Sequence, residues 1–103
     1  MATKKSNAMK ILEELAGRSL SLGGLLESLR LAEGKSQIAF AKTLNISPSH
    51  LCDIEKSRKT VSAARAAQFA KTLERSQTQF VRLALQDEVT RSGLKFKVSI
   101  EVA

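Results

Sequence analysis

The sequence predicts an all-α domain of five or six helices that ends in one C-terminal β-strand. Apolar residues recur with a helical period over most of the 103-residue chain, and serines that can cap helices precede the periodic segments. The last residues change to a strict polar and apolar alternation, which is the period of a strand. With 43% hydrophobic residues, the chain can bury one core of modest size.

Three segments are expected in chain order. Residues 1–20 form an N-terminal extension with a short helix at 7–16, which Gly17 ends. Residues 21–93 form the main helical domain, and residues 94–103 form the C-terminal strand. The N-terminal helix either packs on the domain or contacts a partner, and the sequence leaves both possibilities open.

The first four helices of the main domain begin at serines. The first begins at Ser21, carries leucines on one face and ends at Gly34. Two short helices follow at residues 36–44 and 47–56. A fourth helix begins at Ser62 and turns alanines, a phenylalanine and a leucine inward.

A fifth helix opens with the capping-box pattern of residues 76–79 and ends at Gly93. Its apolar residues cover more than one face, whereas a helix on the surface of a monomer buries only one stripe. We therefore expect the second stripe to lie in a dimer interface. This stripe consists of Val81, Leu85 and Val89.

The strand prediction rests on residues 95–102, in which polar and apolar side chains alternate. The chain has no other convincing strand, and an unpaired strand leaves its backbone donors and acceptors without partners. We therefore expect pairing with the same strand of a second subunit, and the alternative is a disordered tail. The face expected to lie on helices consists of Phe96, Val98, Ile100 and Val102.

The two short helices are joined by one tight turn. Ala41 is small where the helices would cross, and Asn45 tolerates the left-handed backbone that a sharp turn needs. Ser47 can cap the second helix, and Pro48 fits its first turn. This pattern is typical of a helix-turn-helix, whose second helix enters the major groove of DNA.

From about residue 22 to residue 85, the chain resembles the DNA-binding domains of the lambda Cro and repressor class, also called the XRE family. Two positions depart from the family pattern, because Asn45 and Ser57 stand where the family usually or often has glycine. The resemblance implies a lambda-repressor-like fold and a regulator of transcription. The matching residues are Leu29, Arg30, Gly34, Ser36, Gln37, Phe40, Ala41, Leu44, Ile46, Ser47, Leu51, Ile54, Glu55, Ala70 and Leu73.

The resemblance also implies where DNA contacts lie. The start of the second short helix would read base edges, and Gln37 would meet a phosphate. His50 is either a base or phosphate contact or an ordinary surface residue, and Asp53 either accepts from cytosine or orients Lys56 or Arg58. The full set expected at DNA is Gln37, Ser47, Pro48, Ser49, His50, Asp53, Lys56, Ser57, Arg58 and Lys59.

Just after that helix, residues 56–65 contain four basic residues and no acidic one, which predicts either a phosphate clamp or a solvated basic face. Arg30 and Glu55 match a buried ion pair of related repressors and are expected to be structural. Cys52 is expected to be a packing residue, because a redox switch needs a lowered thiol pKa.

The charge of the chain limits its partners and its chemistry. A net charge of +7 and a pI near 10 predict a polyanionic partner such as DNA. No apolar run reaches transmembrane length, so we expect a cytoplasmic protein without membrane contact. One histidine and one cysteine cannot build a zinc site, and one cysteine cannot form an internal disulfide, so we expect neither cofactor, metal nor enzymatic activity.

These observations predict a homodimeric repressor that binds a palindromic operator in double-stranded DNA. The first alternative is an antitoxin, which holds a toxin protein through its tail or N-terminal helix and regulates its own operon. The second is a DNA-binding protein without sequence preference. RNA binding is less favoured, because the four phenylalanines are the only aromatic residues and three of them fit the core.

Overall fold

A computed structural model of the chain describes residues 21–103. Within this range, the all-α prediction is confirmed. The predicted helix at residues 7–16 lies outside the described residues. The five helices are α1 Leu22–Ala32, α2 Gln37–Leu44, α3 Pro48–Glu55, α4 Ala63–Thr72 and α5 Gln77–Arg91.

Each of the five described helices begins after a serine. The serine hydroxyl accepts a hydrogen bond from the backbone N–H three residues further on, at distances from 2.9 to 3.2 Å. Such a cap typically contributes about 1 kcal/mol. The helix starts predicted at serines are therefore confirmed, and the capping residues are Ser21, Ser36, Ser47, Ser62 and Ser76.

The helix ends also follow the sequence. Gly34 and Gly93, with φ of 67° and 79°, adopt the left-handed conformation just after α1 and α5. Asn45 ends α2 in the same conformation, with φ of 60°. Glycine adopts this backbone without penalty, and asparagine tolerates it better than most residues.

One hydrophobic core joins all five helices. The helix α4 packs along α5, α2 packs against α3, and α1 crosses both α3 and α5. Phe40 and Phe80 are among the largest fully buried side chains, and Leu51 and Ile54 bring α3 into the same cluster. Burying a side chain of this size contributes about 1.5–3 kcal/mol, so the core fixes the inner face of α3.

The helix α1 packs tightly against the end of α3 at Gly23, which is buried. A Cβ atom at Gly23 would overlap the carbonyl oxygen of Ile54 and lie 2.9 Å from the carbonyl carbon of Ile54. The two helices can therefore come this close only because the position has no side chain. The low helix propensity of glycine would by itself indicate only a weaker first turn of α1 at this position.

The structure does not support the predicted C-terminal strand. Residues 94–103 have no regular secondary structure, and the described part of the chain contains no strand. The physical reason is that a ladder needs a second strand, and residues 21–93 are helices and turns. In the single protomer, Phe96 is 67% exposed and Val102 is 85% exposed, whereas Val98 and Ile100 are half-buried.

The second apolar stripe of α5 is half-buried within the protomer. Val81 packs against the core, and Leu85 and Val89 are partly covered. The stripe therefore stabilises the protomer and still leaves part of its apolar area accessible.

Candidate nucleic-acid interface

The turn between α2 and α3 is held by local hydrogen bonds. The backbone N–H of Ile46 donates to the carbonyl of Ala41 at 3.0 Å, and that of Asn45 donates to Lys42 at 3.1 Å. Ala41 is fully buried, so its small side chain lies inside the helix pair. This geometry fixes the angle between the two helices and the side of α3 that faces outward.

The helix α3 has one buried face and one open face. Leu51, Ile54 and Glu55 are buried, whereas Ser47, Pro48 and Ser49 are exposed at its N-terminal end. Pro48 stands in the first turn, where its missing N–H breaks no hydrogen bond of the helix. The exposed N-terminal end of α3 therefore carries only small side chains, two of them serines, and such an end can enter a groove of DNA.

A buried polar network locks α3 to α1 and α2. The carboxylate of Glu55 is fully buried and accepts hydrogen bonds from Arg30 Nε at 2.8 Å and Nη2 at 3.1 Å. Gln37 Nε2 donates to the same carboxylate at 3.0 Å, and Arg30 Nη1 donates to the carbonyl of Lys35. A buried ion pair is tolerable only when its remaining donors and acceptors are satisfied in this way.

The network raises the pKa of Arg30, chiefly through the hydrogen bond to Glu55, while burial opposes the rise. The same network engages the side chain of Gln37, which we expected from the family resemblance to contact a DNA phosphate. In the free protein, one amide hydrogen of Gln37 is directed at Glu55. A second amide hydrogen and the carbonyl oxygen remain for other contacts.

The loop after α3, residues 56–59, exposes three cationic side chains. Asp53 binds two of them, with 3.3 Å to Arg58 Nη1 and 3.7 Å to Lys59 Nζ. Lys56 has no ion pair with another described residue. Exposed ion pairs of this kind contribute little, so a phosphate can replace the carboxylate at small cost.

This loop depends on an unusual backbone conformation. Ser57 adopts the left-handed region with φ of 59°, at one of the two positions where the family pattern and this chain differ. Arg91 Nη2, near the end of α5, donates to the carbonyl of Arg58 at 3.0 Å. The C-terminal end of α5 therefore supports the basic loop, and no local pattern in the sequence predicts this contact.

His50 lies in the first turn of α3 and contacts Arg65 near the start of α4. Arg65 Nη1 is 3.5 Å from His50 Nδ1, and because arginine only donates, this contact favours the tautomer with the proton on Nε2. Burial lowers the pKa of His50, and the charges of Arg65 and Lys59 lower it further. A neutral ring can donate from Nε2 to a base or phosphate, and Arg65 adds a fourth cation to this surface.

A family model described as a helix-turn-helix domain matches residues 21–83, more than half of the chain. The chain therefore belongs to the helix-turn-helix domain family, in agreement with its resemblance to XRE-type DNA-binding proteins. No curated protein and no solved structure shows significant similarity to the chain. Among the described residues, no helix is long and apolar enough to cross a membrane.

Proposed function

We propose that the protein is a sequence-specific DNA-binding regulator of transcription that acts as a repressor. One observation carries the proposal. The helix α3 offers an exposed polar N-terminal end, and exposed cations lie on the loop that follows it. Bases are read by small polar side chains on a helix in the major groove, and phosphates are bound by flanking cations.

In the proposed complex, the first turn of α3 enters the major groove. Ser49 and His50 contact base edges, because they follow the N-cap Ser47 on the open end of the helix. Lys56, Arg58 and Lys59 bind phosphates, and Asp53 orients Arg58 and Lys59 before DNA arrives. Each good base contact would contribute about 1–3 kcal/mol of discrimination.

We further propose that a homodimer in the cytoplasm binds a palindromic operator. Two recognition helices related by a two-fold axis read two half-sites about 34 Å apart. The half-buried stripe of Val81, Leu85 and Val89 and the partly exposed tail residues Phe96, Val98, Ile100 and Val102 provide apolar area for the second subunit.

Selection of bound sequences from a random DNA pool tests the proposal. A dominant palindromic site is expected, and recovery of no preferred sequence would instead support a DNA-binding protein without sequence preference. The selection is then repeated with Ser49→Ala and His50→Ala, which should change the preferred bases.

The phosphate contacts are tested by salt dependence. Lys59→Ala should weaken binding to every sequence and reduce the slope of log K against log salt by about 0.9. Lys71→Ala is the matched control, because Lys71 is exposed near the opposite end of α4 from Arg65. Equal slopes in both variants would exclude Lys59 from the phosphate contacts.

The antitoxin function is the second candidate, and the exposed tail favours it. Leu94, Phe96 and Val102 are three of the large apolar side chains that the described structure leaves exposed. An apolar extended segment of this kind can hold a strand or groove of another protein. Co-purification of a second protein that is released when residues 94–103 are deleted would support this function.

A further inference from the structure

Arg91 joins the C-terminal end of α5 to the basic loop, residues 56–59. Its Nη2 donates to the carbonyl oxygen of Arg58 at 3.0 Å, across 33 positions of the sequence. Among the described residues, Arg91 alone donates to that carbonyl. The family model matches residues 21–83, so the contact comes from a part of α5 that lies outside the match.

The backbone of Arg58 is held on two sides. Its N–H donates to the carbonyl of Asp53 in α3 at 2.8 Å, and its own carbonyl accepts from Arg91. The N–H of Lys59 donates to the same carbonyl of Asp53 at 3.3 Å. The basic loop is therefore fixed to the end of α3 through its N–H groups and to the end of α5 through one carbonyl.

The contact with α5 supports a backbone that is unfavourable by itself. Ser57 has a φ of 59°, and a positive φ is uncommon for any residue other than glycine. Val61 is buried in the core and anchors the connection to α4. Between Ser57 and Val61, Arg91 is the only described side chain that bonds the backbone. It therefore fixes the part of the loop that neither α3 nor the core holds.

The backbone of the loop sets the position of two cations. The side chains of Arg58 and Lys59 are 60% and 59% exposed, and both contact the carboxylate of Asp53. Exposed ion pairs contribute little, so Asp53 alone does not hold these side chains in one place. A fixed backbone reduces the conformational freedom that the cations lose when they bind phosphates.

A simpler role for Arg91 is to stabilise α5. Arg91 lies in the last turn of α5, where a positive charge interacts favourably with the helix dipole. That role needs only a charge at the end of the helix. The contact with Arg58 also needs the charge on the side of α5 that faces the basic loop, so moving the charge around the helix separates the two roles.

We propose that Arg91 is a positioning residue of the DNA interface, which holds the basic loop in the shape in which Arg58 and Lys59 bind phosphates. The proposal rests on the proposed function, because it names a residue that makes the phosphate contacts possible. It adds the last turn of α5 to the DNA-binding unit, beyond the part of the chain that the family model matches.

Salt-dependent DNA binding by the full-length protein tests the proposal. Arg91→Ala should weaken binding to every sequence about tenfold, which corresponds to one lost hydrogen bond between charged groups. The slope of log K against log salt should fall by about 0.9 for each phosphate contact that is lost. Arg75→Ala removes the same charge from an exposed position before the other end of α5. Equal weakening in both variants would overturn the proposal.

A second set of variants tests whether Arg91 acts through the basic loop. Arg91→Ala is combined with Arg58→Ala and Lys59→Ala. A positioning residue acts through those two side chains, so the combination should bind DNA no more weakly than the protein that lacks only Arg58 and Lys59. A further decrease of the salt slope by about 0.9 would overturn the positioning role and make Arg91 itself a phosphate ligand.

Two variants separate the contact from the charge. Arg91→Lys should retain most of the affinity, because an ammonium group can donate to the same carbonyl. Thr90→Lys together with Arg91→Ala keeps a charge in the last turn but moves it about 100° around the helix. This double variant should bind as weakly as Arg91→Ala, and wild-type affinity would reduce the role of Arg91 to that of a helix charge. Circular dichroism confirms that each variant is folded at the temperature of the assay.

Hydrogen exchange without DNA tests the loop directly. The amides of Arg58 and Lys59 should exchange faster in Arg91→Ala, whereas the amide of Ile46, in the turn before α3, should not change. Faster exchange in a protein family that binds no DNA even as the wild type would refute the proposed function and leave the role of Arg91 in the loop standing. Operator binding by the wild type, with unchanged exchange and affinity in Arg91→Ala, would do the reverse.

Discussion

Replacing Gly23 with alanine is expected to separate α1 from α3. The added Cβ would overlap the carbonyl oxygen of Ile54, and it would lie 2.9 Å from the carbonyl carbon and 3.3 Å from the Cα of Glu55. These are backbone atoms of α3, so no side chain can rotate away to make room. Relief requires α1 or the end of α3 to move by several tenths of an ångström or more.

The magnitude follows from two opposing effects. Overfilling a packed contact typically costs about 1–3 kcal/mol, and the upper end applies because backbone must move. Replacing glycine with alanine inside a helix stabilises that helix by roughly 1 kcal/mol, which offsets part of this loss. The net loss of stability should be about 2 kcal/mol, which lowers the melting temperature of a domain this small by roughly 10 °C.

Thermal and urea unfolding followed by circular dichroism measure the effect. The control is Ser28→Ala, which also favours the helix but lies on the exposed side of α1. Because Ile54 and Glu55 end α3, the displaced helix should also bind DNA more weakly in Gly23→Ala. A variant that melts at or above the wild-type temperature would show that the helices do not meet in this way.

Three further changes test other contacts. Glu55→Ala leaves Arg30 largely buried without its partner and should cost about 3–5 kcal/mol in urea unfolding, whereas replacing both residues with apolar ones should cost much less. Ser57→Gly relieves a left-handed serine and should stabilise the protein by up to about 1 kcal/mol, so lower stability would argue against that backbone. Burial and neighbouring cations lower the pKa of His50 in the free protein, and a phosphate would raise it, so DNA binding should take up a proton. Affinity measured by fluorescence anisotropy should then increase as the pH falls from neutral toward the lowered pKa of free His50, and an equal increase in His50→Gln would exclude this residue as the cause.

The local part of the fold was predictable from the sequence, because its determinants lie within a few residues of one another. Serine hydroxyls bond N–H groups three residues on, and apolar side chains repeat with the helical period. Asn45 and Gly34 mark turns through their own backbone preferences. For the same reason, the open face of α3 followed from the spacing of Leu51 and Ile54.

The sequence predicted which residues belong to the candidate site, but it did not predict which of their side chains contact one another. The sequence placed Asp53, His50 and the basic loop near one another. It did not show that Asp53 binds Arg58 and Lys59, or that Arg65 lies beside His50. Side-chain partners on different elements depend on distances that only the packed helices set.

Contacts between residues far apart in the chain were decided by the tertiary structure alone. No local sequence pattern indicates that Gly23 packs against the backbone of Ile54. The same is true of the hydrogen bond that the N–H of Leu22 donates to Asp87. The tail shows the same limit, because its alternation predicted a strand that the described structure does not form, and it did not indicate the contacts that the amide of Gln86 makes with the tail. The periodicity of the sequence shows which face of its helix a residue occupies, whereas the packing of the helices determines which residues that face contacts.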